Sequence, residues 1–430
     1  MVGPQNKIET ETAGIWKLPA SWRLSELTDL TESESDIVAG PFGSNLKVSD
    51  YKNSGVPILR LQNIGPNTFI PKDIKFISAK KAKELDYHSF VSGDVILAKL
   101  GDPIGISCIV PKFLKFGIVV ADVVRIRVSQ RKADKNFIVQ SLNSDYCLNQ
   151  LNANKIGSTR PRVNLNTIRK IKFPIPPLFE QQKIAKILSD TDALIESLDK
   201  LITKKKHMKQ GLMQTLLTKG IGHTKFKKTE IGEMPEGWEI QELSQICEKP
   251  QYGYTQSSMK VPVGPKFLRI TDIQDMKVNW ANVPYCICPE EVFNKYALNT
   301  GDILFARTGA TTGKSYLVEQ CPKAVFASYL IRLRPRKNVD PFFIHSFFNS
   351  FSYWGQIRRN SVGSAQGGVN AETLSRILAP LPLLSEQQEI AKILSDADKE
   401  IEALEQKRDK YKLLKTGMMQ KLLTGGIRVK

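Results

Sequence analysis

Residues Ile184 to Asp190 read IAKILSD, and the same seven residues return at Ile390 to Asp396, 206 positions later. The offset holds without a gap from Gly157 to Ile221, and Pro174–Ile221 shares 28 of 48 residues with Pro380–Ile427. Chance does not produce such a match, so the chain must fold as two versions of one unit, and internal repetition takes precedence over any local reading. The match extends towards the N-terminus with small gaps. Leu18-Pro-Ala-Ser-Trp22 corresponds to Met234-Pro-Glu-Gly-Trp238, Arg60-Leu-Gln-Asn-Ile64 to Arg269-Ile-Thr-Asp-Ile273, and Gly93-Asp-Val-Ile-Leu-Ala-Lys99 to Gly301-Asp-Ile-Leu-Phe-Ala-Arg307. Each half is a variable globular part followed by a strongly repeated part.

The repeated part reads as helix. Ile184, Ile187, Leu188, Leu194, Ile195, Leu198, Leu201 and Ile202 keep three-four spacing in the first copy. Ile390, Leu394, Ala397, Ile401, Leu404, Tyr411 and Met418 keep it in the second. Prolines lead into both, Ser385 with Gln388 has the form of a capping box, and Gly220 and Gly425-Gly426 close them. Glu180–Leu217 would be a rod of roughly 57 Å at 1.5 Å per residue. Ordinary core helices are the plain alternative. The length and the narrow apolar stripe favour a coiled coil in which each copy offers the other its partner.

The globular parts read as α+β. Strand candidates are Val56–Ile64, Asp94–Leu100, Ile106–Val110 and Gly117–Val128, matched by Lys266–Ile273, Asp302–Ala306, Lys314–Val318 and Val325–Arg334. A helix then starts near Asp134 or Asp340, with Pro341 in the first turn of the second. The expected order is a first domain over 14–177, a central helix over 178–221, a basic linker over 222–233, a second domain over 234–383 and a C-terminal helix over 384–427.

A net charge of +19 over 430 residues draws the chain to polyanions. From Lys200 to Lys228 nine lysines occur with no Asp or Glu, which suits a contact to DNA or to an acidic partner, or a solvated helix end. The six cysteines form no Cys-x-x-Cys and there are four histidines, so neither a zinc site nor a disulfide framework is expected, and reduced thiols suit the cytoplasm. The N-terminus has no signal-peptide core, and no stretch approaches the length of a membrane helix.

Enzymatic motifs are incomplete. Gly309-Ala-Thr-Thr-Gly313-Lys314-Ser315 has three residues between its glycines where a phosphate loop needs four, and its counterpart Gly101-Asp-Pro-Ile-Gly105 has no Lys, so a turn explains both. The proline-rich Phe173–Pro177 and Leu381–Leu383 lack the Asn or Asp of a DNA methyltransferase's catalytic segment. Asp398, Glu405 and Lys407 lie on the predicted helix as solvated charges rather than as a nuclease set.

The duplicated Pro-x-x-Trp opening, the proline-rich lead into Glu-Gln-Gln-x-Ile-Ala-Lys-Ile-Leu, and the Gly-Leu-Met-Gln-x-Leu-Leu-Thr ending resemble the specificity subunits of type I restriction-modification systems. Gly40-Pro-Phe-Gly-Ser-Asn-Leu46 and Lys227-Lys-Thr-Glu-Ile-Gly232 resemble them too. The resemblance covers nearly the whole chain. It implies a non-catalytic DNA-specificity subunit with two target-recognition domains, each reading half of a split site. It implies two antiparallel helices as spacer, related by a pseudo-two-fold. The implied partners are double-stranded DNA, two methyltransferase subunits and two ATP-dependent restriction subunits. S-adenosylmethionine, ATP and Mg belong to those partners, not to this chain. A stand-alone modifying or cleaving enzyme, and a DNA-bridging protein without sequence preference, are the competing classes.

Base-reading residues do not carry over from the family, so candidates come from the repeat. Gly157-Ser-Thr-Arg160-Pro-Arg162-Val-Asn164 aligns with Gly363-Ser364-Ala-Gln366-Gly-Gly-Val-Asn370. The frame persists while its centre changes from Arg160 and Arg162 to Gln366, side chains able to grip guanine and adenine edges. An ordinary variable turn is the alternative. Lys99 and Arg307 share a strand end suited to phosphate contact, whereas Arg60 and Arg269 suit structural roles. Partner docking is expected at the repeated Glu180, Gln181, Gln182 and Glu386, Gln387, Gln388.

Overall fold

The computed structural model describes residues 18–157, 159–274, 276–308, 312–361 and 369–429. It divides into two units, Met1–Asp199 with Gln406–Lys430, and Lys200–Glu405. The two long helices are Leu178–Lys219 and Leu384–Leu422. The division falls within both, so each unit holds the beginning of one and the end of the other.

In the first unit, Arg23–Glu26 pairs antiparallel with Lys172–Ile175, a clasp that brings the entry and exit of the globular part together. Inside it, β1 (Ile37–Ala39), β2 (Val95–Ala98), β3 (Ser107–Ile109) and β4 (Val123–Ile126) form an antiparallel sheet of order β1-β4-β2-β3. A second sheet runs Lys75–Ile77, Val56–Leu59, Phe116–Val119, Ser89–Val91, with one parallel pair in the middle. Helix α1 (Lys135–Leu142) is capped by Asp134, whose carboxylate accepts from the amides of Asn136 and Phe137. Val95, Leu97, Val124 and Ile126 of the sheet pack with Phe137 and Ile138 of α1 and with Ile184, Leu188, Leu422 and Leu423 of the long helices. Each such side chain contributes about 1.5–3 kcal/mol when fully buried.

The second unit repeats the plan. Its clasp is Glu239–Glu242 with Leu378–Leu381. Its sheet comprises β5 (Gln251–Tyr252), β6 (Ile303–Ala306), β7 (Ser315–Leu317) and β8 (Leu330–Leu333) in the order β5-β8-β6-β7. Helix α2 (Pro341–Phe347) is capped by Asp340 with proline in its first turn. The repeated Gly-Asp acquires a reason here. Gly93 and Gly301 turn the chain at φ of 91° and 92°, a region that favours glycine. The buried Asp94 and Asp302 that follow each hold an arginine in a forked ion pair, Arg127 at 3.1 and 3.0 Å and Arg334 at 2.7 and 3.0 Å.

Within each unit the long helices run antiparallel. In the first, Asp192 meets Lys415 at 2.5 Å and Asp199 meets Arg408 at 3.4 Å. In the second, Lys209 meets Asp398 at 2.5 Å, Lys205 meets Glu400 at 2.6 Å and Lys206 meets Glu405 at 2.6 Å. Partly exposed pairs of this kind contribute little individually, but they fix which residue faces which.

Several sequence expectations change. Three lysines of the acid-free stretch face the acids of the other long helix, so that stretch is partly an intramolecular seam. The expected linker, 222–233, forms most of an antiparallel hairpin, Phe226–Thr229 with Gly232–Pro235, which runs on into the second domain. The apolar run Gly117–Val128 is two strands in two sheets, because a turn from Val120 to Val123 redirects the chain, and Ala327 to Leu330 does the same to Val325–Arg334. Ser385 lies inside the helix, whose first amides bond to Leu383, so the capping box does not form.

Candidate nucleic-acid interface

At the end of β2 the Lys99 carbonyl accepts from the Val163 amide at 3.0 Å, and Pro161 accepts from Gly101 at 3.3 Å. Ile156 and Arg162 exchange backbone bonds of 2.8 and 3.0 Å. The loop is thereby stitched to the strand end as a small ribbon, with Arg160 exposed in its turn and Arg162 exposed at its paired base. Asn164 then caps the short helix Leu165–Arg169 by accepting from Thr167 at 2.7 Å. The Lys99 ammonium lies 5.0 Å from the ring of Phe42, which is 71% exposed. Burial, reinforced by the charge of Arg162 and opposed by Asp122, holds the Lys99 amine below the usual lysine range.

The second domain builds the same scaffold. Val369 donates to the Arg307 carbonyl at 3.3 Å, and Asn370 caps Ala371–Ser375 by accepting from Thr373 at 2.7 Å. The exposed Arg307 guanidinium lies 5.0 Å over the Tyr252 ring, whose hydroxyl accepts from Ala371 at 3.1 Å. The Arg307 amide donates to Tyr329, itself 60% exposed, at 3.1 Å. The Val-Asn part of the repeated frame is therefore structural. Ser364 and Gln366 lie outside the described residues.

Both domains place a cation over an exposed aromatic ring at equivalent strand ends. Sequence reasoning found the cations and missed the rings. Phe42 lies three residues beyond the end of β1 and Tyr252 at the end of β5, so the two rings do not occupy the same place in the repeat. Arg60 pairs with Asp73 at 2.9 Å and Arg269 with Asp272 at 2.8 Å, so both hold local structure.

The six Glu-Gln-Gln positions separate by burial. Glu180 and Gln181 are 0% and 1% exposed and Gln387 is 1% exposed. Glu180 accepts from Arg428 at 2.7 and 2.8 Å and from the Trp22 indole at 3.2 Å. Burial opposes its ionisation, but Arg428, the Val429 amide and Trp22 together hold the carboxyl below the usual range. Glu386 accepts from the Trp238 indole at 3.0 Å and bonds His223 at 2.9 Å. Gln181 and Gln387 each accept from the amide of the Asp that caps α1 or α2, at 2.8 and 2.9 Å. Each donates at 2.9 Å to the proline before its own helix. Only Gln182 and Gln388 are exposed. The Pro-x-x-Trp and Glu-Gln-Gln motifs thus meet as one internal staple per unit.

Among the described residues no group of three or more His, Cys, Asp or Glu is placed to hold a metal ion, and no helix is long and apolar enough to cross a membrane.

The chain matches the type I restriction modification DNA specificity domain twice, over residues 19–205 and 235–412. It belongs to the type I restriction-modification DNA specificity family. The MjaVIII specificity subunit of Methanocaldococcus jannaschii is 31% identical over 333 residues, covering 74% of this chain and 76% of that protein. The EcoKI specificity subunit of Escherichia coli is 24% identical, covering 87% and 82%. The S subunit from M. genitalium shares the fold with a TM-score of 0.58 at 12% identity over 98% of both chains. A chain from a structural study of complex assembly in the type I R-M system gives 0.55 at 19% identity, covering 96% of this chain and all of that one. The chain is accordingly a DNA-specificity subunit with two recognition domains in tandem, the recognition component rather than the catalytic one.

Proposed function

We propose that each recognition domain reads one half of a bipartite duplex target through the loop bound to the end of β2 or β6. The long helices set the separation of the half-sites and dock two methyltransferase subunits through outward residues that include Gln182 and Gln388. S-adenosylmethionine is held by those subunits, and ATP and Mg by two restriction subunits. The assembly works in the cytoplasm. The observation that carries this reading is the recurrence of a cation stacked on an exposed ring, Lys99 on Phe42 and Arg307 on Tyr252, beside a frame whose centre differs between the halves. A fixed frame with different readers is what two unlike half-sites require, and a ring beside a cation offers both an apolar surface for a thymine methyl and a charge for phosphate.

The test is target preference. Arg160→Ala or Arg162→Ala should relax discrimination at one position of the half-site read by the first domain by about 1–3 kcal/mol. Gln366→Ala should act on the other half-site alone. Uniform weakening on every sequence, with the salt slope lower by about one, would make both arginines phosphate clamps. No effect from any of the three would refute the loop as the reader.

A further inference from the structure

One cleft is closed in the second unit and open in the first. In the second unit the end of the long helix, with Met213, Gln214 and Thr218, stands across from Phe351 and Ser352 of the recognition domain. The hairpin fills the gap. Ile231 and Met234 line it, and the Ser352 hydroxyl donates to the Ile231 carbonyl at 3.2 Å. Met234 is buried in one cluster with Leu217 and Trp238. A cavity of about 70 Å³ is left.

The first unit builds the same walls. Met419, Gln420 and Thr424 stand 206 positions after their identical counterparts, and Asp145 and Tyr146 hold the places of Phe351 and Ser352. The cavity here is about 680 Å³, and among the described residues only the helix end and the recognition domain line it. Nothing described stands where the hairpin stands in the second unit.

The chain that can fill this cleft starts at its edge. A Cβ added to Gly425 would meet Pro19 at 2.6 Å, and the adjacent Gly426 lines the cleft. Leu18 packs on the same core cluster as Tyr146 and Met419. Leu18 is the counterpart of Met234, so the residues just before it, which lie outside the described ones, are the counterparts of the hairpin's turn and second strand. The apolar spacing is kept, as Ile231-Gly-Glu-Met234-Pro235 in one repeat and Ile15-Trp16-Lys-Leu18-Pro19 in the other. Bulk is exchanged between segment and wall. The second unit has Gly232 in the segment and Phe351 on the wall, whereas the first has Trp16 and Asp145. The large ring missing from the first wall is thus present in the segment.

We propose that residues 10–17 fold back onto the first unit and close this cleft with Ile15 and Trp16, as the hairpin does in the second. Three residues from Leu18 back to Ile15 reach roughly 10 Å when extended, enough to enter a cleft that Pro19 already borders. A segment tethered at the cleft's edge also binds at a high effective concentration, which a separate partner lacks. The segment would hold the first recognition domain to the end of the second long helix.

The test uses the full chain. With p-benzoylphenylalanine in place of Trp16, irradiation should join position 16 to Tyr146, Met419 or Gln420 of the same molecule, as mapped by mass spectrometry. Ile15→Asp with Trp16→Asp should speed amide exchange about tenfold in 145–149 and 418–426 and leave 213–218 as it was. Cross-links elsewhere in the chain, or cleft amides that do not respond, overturn the proposal. Cross-links to a second copy would make the cleft a contact between copies, and protection that appears only with the methyltransferase subunit would give it to that partner. Either result overturns the proposal as well. If exchange quickens throughout the chain, the variant has lost its fold and the cross-link decides.

Discussion

His345 on α2 loses its proton as the protein folds. It is 9% exposed, its Nε2 has no hydrogen-bond partner, and burial pushes the imidazole down to about 4, with the charge of Lys209 adding to the shift and a backbone bond from Ser315 opposing it. An unfolded histidine takes its proton near 6.5. Between those values the unfolded chain binds a proton that the fold excludes, so stability falls as pH drops from about 6.5 to about 4, by roughly 3 kcal/mol in all. The same place in the first repeat holds the buried Val139. His345→Val should therefore flatten the decline in melting temperature between pH 7 and pH 4.5. A slope as steep as that of the unmodified chain would assign the effect to other groups. Four histidines were countable in the sequence, but the burial of one of them was not, because a buried histidine and an exposed one look alike in a string.

At the level of elements, the two staples are the connection that spacing could not reveal. Trp22 and Glu180 are both prominent in the repeat, yet they lie 158 residues apart, and repetition marks importance without saying whether it is internal or external. The periodicity that showed two long helices, and the Asp caps of α1 and α2, were local signals and were legible. The separation of Gly117–Val128 into two strands was not, since the turn from Val120 to Val123 holds no Gly or Pro and only Asp122 interrupts its apolar residues. Glu180→Ala should leave Arg428, the Trp22 indole and the Val429 amide without their acceptor. Because Arg428 is 35% exposed, the loss should be about 2 kcal/mol, below the 3–5 kcal/mol of a fully enclosed pair. A lower melting temperature with a shift in Trp22 fluorescence is the expected result, and the Glu180 contribution should vanish from the acid limb of stability, where falling pH protonates the carboxylate. An unchanged melting temperature would make the staple a passenger of packing.

For the whole molecule, the clasps decide whether recognition is modular. The first globular part begins at Arg23–Glu26 and ends at Lys172–Ile175, with Glu26 opposite Lys172, and the second begins and ends with Glu242 opposite Leu378. Residues opposed across an antiparallel pair lie only about 5 Å apart, so everything between them can be exchanged without moving the chain that enters and leaves. The sequence suggested a first domain over 14–177, and the clasp places the cuts for an exchange at Leu27 and Ile171, which keeps Trp22, Glu180 and the helix seam native. The incoming domain must supply the apolar faces that Val124, Phe137 and Ile168 present to Ile184 and Leu188, which a domain from another subunit of the family can do where its own helix carries the same stripe. Such a chimaera should assemble with the methyltransferase subunits as before and methylate sites in which one half is new while the other half and the spacing are unchanged. Sequencing the methylated sites reads all three at once. A target altered in both halves would mean that the two domains do not read independently, and that the repeat, although written twice, is used as one surface.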